Sequence, residues 1–450
     1  MPRQEIITPS IKKHFDWSVL LVLMMVAFLS ISAQDKASDE NTAAEKDKDH
    51  AITPDEPDHV GTAEKKDSEP KYVLPDVPHG WNEFENRYFT LALSFAPILD
   101  YEGITQDARN LALVGPQESR FNIRSARVIF HGKLKFRRSV TYYISVEYKG
   151  LDRPPEAKGI GVTDLWFAIL LNKKIGTLTF GKMKETSVYE MVGDSANLPY
   201  LERSLNPFFA SRNIGVKLSN SGLKKRMTYA FGWYNDWFTK DSLTFGASGN
   251  TFTGRVTALP VFSEAGKNYV HFGISARYNG ADAGKLRLRG RPESNVAENF
   301  VDTGLFPAKY QSVLGLELLA NRGPVFVTSE YVRSWVNSSE TGSPQFQGFY
   351  VVGSWTITGE TRPYDPNVGY ARRIIPERRW GAWEIFGRYS YVDLSDGTVR
   401  GGTLSRGTVG LNWWASRQWR ISYAYGLGEL RREGIKGLAQ FHQARFQWIF

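Results

Sequence analysis

The chain ends in the sequence QFHQARFQWIF (440–450), in which apolar and polar residues alternate. The apolar set is Ala444, Phe446, Trp448 and Phe450. The polar set is Gln443, Arg445 and Gln447. A period of two residues places the two sets on opposite faces of a β-strand. An apolar outer face, a polar inner face and a terminal aromatic residue are typical of a transmembrane β-barrel strand. A strand of a water-soluble sandwich has the same alternation, so the rest of the chain decides between them.

The first 33 residues have the order of an export signal. Basic residues occur between positions 3 and 13, an apolar run of 12 residues covers 18–29, and small residues follow. A membrane-spanning helix needs about 20 apolar residues, so this run is too short. We expect residues 1–33 to be a signal peptide that is cleaved near Ser32 or Ala33. An uncleaved anchor is the alternative.

The composition favours a barrel over a helical membrane protein. Mean hydropathy is −0.36, yet the chain has 13 Trp, 21 Tyr and 27 Phe. In a barrel only one face of each strand meets lipid, and aromatic girdles lie at both membrane interfaces. The chain has no Cys, which excludes disulfides, thiolate metal sites, a Cys nucleophile and a lipoprotein anchor.

Charge divides the chain into an acidic segment and a basic body. Residues 34–80 carry a net charge of −7 and have few apolar residues, whereas residues 81–450 carry +15. We expect 34–80 to be a disordered acidic periplasmic segment and 81–450 to be an outer-membrane β-barrel. A cationic body favours anionic partners. For an exported chain these are small anions and lipid or lipopolysaccharide phosphates, and no nucleic acid.

From residue 81 onward, short alternating segments are separated by turn residues. The clearest strands are 141–149, 269–278, 383–391, 408–413 and 419–425. With 285–291 included the count is 17, but a bacterial single-chain barrel has an even number of strands. Assigning 285–291 to a long outer loop (279–309) leaves 16 strands, and 18 strands is the alternative. The third outer loop is then 184–212, and the long basic connection 360–379 lies on the periplasmic side.

Several short motifs follow one another in a characteristic order. They are FGKMKE (180–185), YLERSLNPFF (200–209), RNIGVKLS (212–219), WTITGE (355–360), GAWEIFGRYSYV (381–392), TVGLNWWAS (408–416) and ARFQWIF (444–450). From about Phe89 to Phe450 the chain resembles the phosphate-selective porins of Gram-negative outer membranes. The resemblance implies an all-β fold, a 16-stranded antiparallel transmembrane β-barrel whose third loop folds into the lumen. It also implies a homotrimer that passes phosphate-like anions along arginines.

The resemblance also implies particular anion-binding residues. Arg203 matches the arginine of the third-loop LER motif, and Arg124 matches the first of two adjacent arginines that open the second strand. The second arginine corresponds to Ser125 here, and a third-loop lysine of the family corresponds to Met191. The arginines of the family's fifth outer loop are similar to Arg287, Arg289 and Arg291. With two cations replaced, we expect anion preference with only modest phosphate affinity.

The three fifth-loop arginines alternate with Leu286, Leu288 and Gly290. In an extended segment they share one face at about 7 Å spacing. Each guanidinium can donate two hydrogen bonds to an oxyanion, so the row can bind a partly dehydrated anion. The alternatives are a solvated loop and a rim site for lipopolysaccharide phosphates.

Inward-facing charges on the predicted strands are mostly cationic. The cations are Lys149, Arg277, Arg388, Arg420 and Arg445, against Glu147 and Glu384. In the third loop, beside Glu202, Arg203 is either a cation at the narrowest point or part of a structural Arg–carboxylate pair that pins the loop to the wall. Arg124 and Arg127 differ by three positions, so only one points inward unless a β-bulge intervenes.

No catalytic, metal or cofactor motif is present, and the 7 His are scattered. We therefore expect no enzyme activity and no cofactor, and a passive diffusion pore that prefers anions such as phosphate. The alternative is a structural or interaction barrel with a plugged lumen, whose segment 34–80 binds a periplasmic partner. Phe450 is expected to be recognised by the barrel assembly machinery.

Overall fold

The computed structural model describes residues 82–148, 159–235, 249–263 and 266–450. The predicted signal peptide, the acidic segment 34–80 and Lys149 lie outside these ranges, so their assignments stay predictions.

Within the described residues, sixteen long strands form the wall. In chain order they are β1 (Phe89–Gln106), β2 (Arg120–Leu134), β3 (Val140–Tyr148), β4 (Ile160–Asn172), β5 (Gly176–Met183), β6 (Asn213–Gly222), β7 (Met227–Tyr234), β8 (Thr251–Ser263), β9 (Asn268–Gly280), β10 (Tyr310–Arg322), β11 (Val325–Asn337), β12 (Gln345–Thr356), β13 (Ala382–Asp396), β14 (Val399–Trp414), β15 (Trp419–Arg432) and β16 (Ile435–Trp448).

Each strand pairs antiparallel with the next, and β16 pairs with β1 from Gln447 opposite Ile98 to Ala439 opposite Gln106. This last pairing closes the sheet into a barrel and leaves no free edge among the long strands. A short strand, Glu83–Glu85, lies beside the start of β1. The prediction of a 16-stranded antiparallel barrel is confirmed, and the alternative of 18 strands is wrong.

The wall alternates as the sequence predicted. On β15, Trp419, Ile421 and Tyr423 are exposed on the outside, whereas Arg420 and Ser422 are buried on the inside. Outward aromatic rings stack across strands, as in the pair Trp419 and Trp448, whose ring centroids are 5.2 Å apart. An outer face of this kind suits lipid, and the inner face holds the polar side chains.

The segment 285–291 is not a wall strand. Lys285–Leu286 pairs with Phe306–Pro307, and Arg289–Gly290 pairs with Val301–Asp302. Both pairs form a hairpin inside the fifth loop, 281–309, as the parity of the strand count required.

Helical structure is confined to the connections. Helix α1 (Ala108–Val114) is capped at its N-terminus by Asp107, whose carboxylate accepts a hydrogen bond from the Asn110 N–H. The third loop, 184–212, contains helix α2 (Tyr189–Val192) and two 3₁₀ turns, Ser195–Asn197 and Asn206–Phe208. Among the described residues, no helix is both long enough and apolar enough to cross a bilayer.

Three long connections pack against inward-facing side chains of the wall. They are the third loop (184–212), the fifth loop (281–309) and the connection between β12 and β13 (357–381). Phe208 and Phe300 from the loops and Tyr364 from the connection belong to one buried apolar cluster with Phe346 and Tyr350 of the wall. The interior is therefore partly filled by packed chain, which determines where an open path can run.

The terminal residue continues the closing seam. The Phe450 N–H donates to the Phe95 carbonyl at 3.0 Å, and the Phe95 N–H donates to the Phe450 carbonyl at 3.3 Å.

Deleting Phe450 removes both bonds, so we expect the free energy of unfolding to fall by about 1–3 kcal/mol and the yield of folded barrel to drop. The yield is measured as the heat-modifiable band on a gel after membrane assembly. Phe450→Ala keeps both backbone bonds and separates the role of the ring. Equal yields for the deletion and the wild type would contradict the prediction.

Candidate functional site

Arginines of the wall hold the third loop by its backbone carbonyl groups. Arg420 on β15 donates to the Leu198 and Pro199 carbonyls, both at 2.8 Å. Arg445 on β16 donates to the Leu201 carbonyl at 2.8 Å. Arg388 on β13 donates to the Glu202 carbonyl at 2.7 Å. These arginines clamp residues 198–202 against the inner wall.

Two carboxylates complete this clamp from the loop side. Glu190 accepts hydrogen bonds from the Ser204 and Leu205 N–H groups and pairs with Arg388 at 2.6 Å. Glu202 pairs with Arg124 and Arg445, both at 2.6 Å. Burial alone would raise the pKa of Glu202, but these two guanidinium groups lower it to about 2. The Glu202 carboxylate therefore stays ionised at neutral pH and holds the loop to Arg124 and Arg445.

The fifth loop is clamped to the wall in the same way. Glu102 on β1 accepts a hydrogen bond from the Asn295 N–H at 2.9 Å. Glu293 pairs with Arg388 at 3.2 Å, and Arg406 on β14 donates to the Glu293 carbonyl at 3.1 Å.

The connection 357–381 also folds inward and reaches the third loop. Arg362 pairs with Glu384 on β13 at 2.5 Å and donates to the Asn197 carbonyl. On the other side, Arg255 on β8 donates to the Gly369 carbonyl at 2.7 Å. The sequence predicted that this connection lies on the periplasmic side, where connections are usually short. Its inward fold gives the extra length a structural role.

A cavity of about 450 Å³ lies on the side of the barrel formed by β1–β8. Its floor and sides include residues of the third loop and of 357–381. Six cations line it: Arg124, Arg127, Lys184, Arg212, Lys217 and Arg255. Three carboxylates line it: Asp164, Glu185 and Asp194.

A β-bulge explains why both Arg124 and Arg127 reach this cavity. In the β1–β2 pairing Ile98 lies opposite Ser125 but Leu99 lies opposite Ile123, so Arg124 is the extra residue. An extra residue reverses the alternation locally, and the two arginines then share the inner face although three positions separate them. The sequence alone left this choice open.

The cavity cations differ in how they are neutralised. The four arginines each have a carboxylate within 4 Å, namely Glu202, Glu147, Asp164 and Glu317 in chain order of the arginines. Among the described residues, neither Lys184 nor Lys217 has one. Loss of water around the Lys184 ammonium lowers its pKa to about 8, so it is charged at neutral pH. The two lysines are the cations that an entering solute meets without a carboxylate partner.

Arg203 lies in the clamped loop and binds backbone oxygens. It donates to the Glu190 carbonyl at 2.5 Å and to the Gly193 carbonyl at 3.2 Å. No described carboxylate lies within 4 Å of it. Among the residues that the structure describes, Arg203 thus forms no pair with a carboxylate, and Glu202 binds Arg124 and Arg445 instead.

The three arginines of the fifth loop share a face, as their alternation predicted. Arg287, Arg289 and Arg291 are exposed, whereas Leu288 is buried against the wall. Arg287 pairs with Asp302 at 2.5 Å. Arg291 donates to the Asn295 carbonyl at 2.7 Å. They do not line the cavity and lie on a separate, solvent-facing surface of the loop.

The predicted lumen cations all point inward where the structure describes them, but each is bound to a partner. Arg388, Arg420 and Arg445 form the third-loop clamp, and Arg277 pairs with Glu185 at 2.7 Å. Sequence reasoning left Arg127 open and missed Lys184, Arg212, Lys217 and Arg255 as cavity residues. A signal for three of them was present, because Lys184, Arg212 and Lys217 fall within the motifs FGKMKE and RNIGVKLS.

A family model described as "Phosphate-selective porin O and P" matches residues 99–450. The chain belongs to this family. Porin O of Pseudomonas aeruginosa is 28% identical over 211 residues, which are 40% of this chain and 48% of that protein. An uncharacterised protein of Caulobacter vibrioides is 28% identical over 184 residues, 39% of this chain and 36% of that protein. The porin thus spans about half or less of the curated relatives it matches.

Solved structures show the same fold at low identity. An anion-selective porin from Comamonas acidovorans is 10% identical with a TM-score of 0.51, covering 80% of this chain and 100% of that one. Outer-membrane expressed OmpT of Vibrio cholerae is 11% identical with a TM-score of 0.52, covering 81% and 100%. Family and fold identify the chain as an outer-membrane porin, and they are those of a channel rather than of an enzyme.

We expect the third-loop clamp to stabilise the folded barrel. Arg445→Met leaves Asp100 and Glu202 buried without their shared cation, which costs about 3–5 kcal/mol. We expect the compact gel form of the porin to be lost at a clearly lower temperature than in the wild type. Arg431→Met is the control, because the Arg431 side chain is 66% exposed and its pair with Glu429 contributes little. Equal melting of the Arg445 and Arg431 variants would show that the clamp does not stabilise the barrel.

Proposed function

We propose that this porin is a passive diffusion channel that prefers anions such as phosphate and related oxyanions. The observation that carries the proposal is the charge of the β1–β8 cavity. Lys184 and Lys217 line it without a described carboxylate within 4 Å, and Arg203, in the loop beside it, donates to two carbonyl oxygens. A cation that enters is repelled there, while an anion exchanges water for ammonium and guanidinium donors.

The other predicted anion-binding residues would contribute to anion binding to different degrees. Arg124 lines the cavity but is shared with Glu202, so it contributes less than a free cation. Arg287, Arg289 and Arg291 would collect anions at the solvent-facing loop. Ser125 and Met191 supply no charge, and Met191 is fully buried. We therefore expect phosphate to block chloride current only modestly.

The assembly of the porin is part of the same proposal. A trimer form is described for OmpT of Vibrio cholerae, and we propose a homotrimer here. Lipopolysaccharide phosphates would bind exposed basic residues at the outer rim, and the barrel assembly machinery would recognise the strand that ends at Phe450.

Ion selectivity tests the proposal directly. In planar bilayers with a KCl gradient, the reversal potential should indicate Cl⁻ over K⁺. Arg203→Glu should weaken this preference more than Arg287→Glu, because charge acts most strongly where water is scarce. Arg203→Lys is the control that keeps the charge. A cation-selective wild-type channel would overturn the proposal, and inserted barrels that carry no current would support a plugged lumen instead.

The pKa of Lys184 predicts a pH dependence. Burial lowers this pKa to about 8, with Asp194, Arg203, Arg212 and Asp164 as the charged neighbours. The ammonium is charged below that value, so raising the pH from 7 to 9 removes one positive charge from the cavity. The Cl⁻ to K⁺ permeability ratio should therefore fall over this interval.

Lys184→Arg is the matched variant for this measurement, because an arginine stays protonated at pH 9. The variant should lose most of the pH dependence between 7 and 9. A permeability ratio that falls equally in both proteins would assign the titration to another group.

A further inference from the structure

Stacked aromatic rings form part of the cavity wall. Tyr143 on β3 and Trp166 on β4 lie opposite each other, with ring centroids 5.3 Å apart and planes inclined by only 2°. His131 on β2 stacks on the other side of Tyr143 at 6.0 Å. Tyr143 and Trp166 both line the cavity and are only partly buried. Their rings are thus available to a solute on the inner face.

The row of rings ends at positions without side chains. On β5 the residue opposite Trp166 is Gly181, and on β6 the residue opposite Gly181 is Gly215. Gly181 has φ +120°, and a Cβ there would lie 2.9 Å from the Trp166 Cα. A Cβ on Gly215 would lie 2.6 Å from the Tyr234 ring. Gly181 therefore places no side chain beside the Trp166 ring, and we call this position next to Trp166 the recess. The Tyr234 ring covers Gly215 and limits the recess on that side.

A cation lies beside this recess. Lys217 is two residues from Gly215 on the same strand face, about 7 Å away. It lines the cavity and has no described carboxylate within 4 Å. An ammonium close to a flat ring suits a solute with both an anionic group and a ring.

We propose that the cavity binds ring-bearing organic anions, of the aryl carboxylate class, with the ring against Trp166 and the carboxylate at Lys217. This deepens the proposed function and rests on it, since such solutes enter only an anion-preferring channel. Aromatic pairs prefer stacked or edge-to-face contacts, and both are open to a ring in the recess. The cavity volume of about 450 Å³ lies in the range of small-molecule sites.

The test compares anions of equal charge as blockers of chloride current in bilayers. The probes are benzoate, acetate and cyclohexanecarboxylate. Benzoate should reach half block at a concentration about fivefold lower than acetate, as expected for one aromatic contact. Benzoate should also exceed cyclohexanecarboxylate, which has a ring but no π face. Equal block by benzoate and either other anion would overturn the proposal.

Variants assign the effect to the recess. Trp166→Leu should bring benzoate close to acetate while leaving acetate block unchanged, and Trp166→Phe should keep most of the preference. Lys217→Met should weaken block by both anions. Trp355→Leu is the control, because Trp355 is 48% exposed on the outer face. An unchanged benzoate preference in Trp166→Leu would overturn the assignment, and if that variant does not fold, loss of preference in Trp166→Phe would decide against it.

Reversal potentials recorded on the same channels separate this proposal from the function on which it rests. A Cl⁻-selective channel without benzoate preference would refute the recess and leave the anion pore standing. A cation-selective channel would refute both.

Discussion

The ion pair of Arg445 and Asp100 is the contact on which the rest of the structure depends. The two residues face each other across the seam where the last strand meets the first, and they pair at 2.7 Å. Arg445 also binds Glu202 at 2.6 Å in the third loop. A buried charge is costly unless it is paired. All three groups are satisfied only when the barrel is closed and the loop is inside, so closure and loop folding stabilise each other.

This coupling divides the cations of the interior into two kinds. The wall arginines of the third-loop clamp donate their hydrogen bonds to loop carbonyls and carboxylates, so they bind the loops and not a solute. They are Arg388, Arg420 and Arg445. The loops that they hold pack against the inner wall, and the cavity lies beside β1–β8. Lys184 and Lys217 line this cavity. A cation's hydrogen-bond partners, rather than its position on an inward face, determine whether it can act on a solute.

The period of two residues predicted the strands, their inner faces and, through parity, the place of 285–291. The period could not predict which charged residues form ion pairs, because Arg445 and Asp100 are 345 residues apart and pair only after the barrel closes. Nor could it decide on the bulge at Arg124, since the spacing of three between Arg124 and Arg127 shows only that a bulge is needed if both side chains point inward. The inward fold of 357–381 depends on tertiary contacts such as that of Arg362 with Glu384. The sequence could not predict this fold, because a basic composition is also typical of an exposed loop.

The chemistry of the two lysines bears on how such a pore would conduct. An arginine presents a planar fork that matches an oxyanion at two points, whereas an ammonium is a compact point charge on a flexible stem. In this cavity the forks of Arg124, Arg127 and Arg212 are already engaged by carboxylates. In the proposed anion pore, a passing anion would therefore interact mainly with the two ammonium groups. Conduction requires attraction strong enough to admit a solute and weak enough to release it. Lysines without a described carboxylate partner, beside arginines that are already neutralised, would meet both conditions better than a row of free arginines, which would retain an oxyanion for longer.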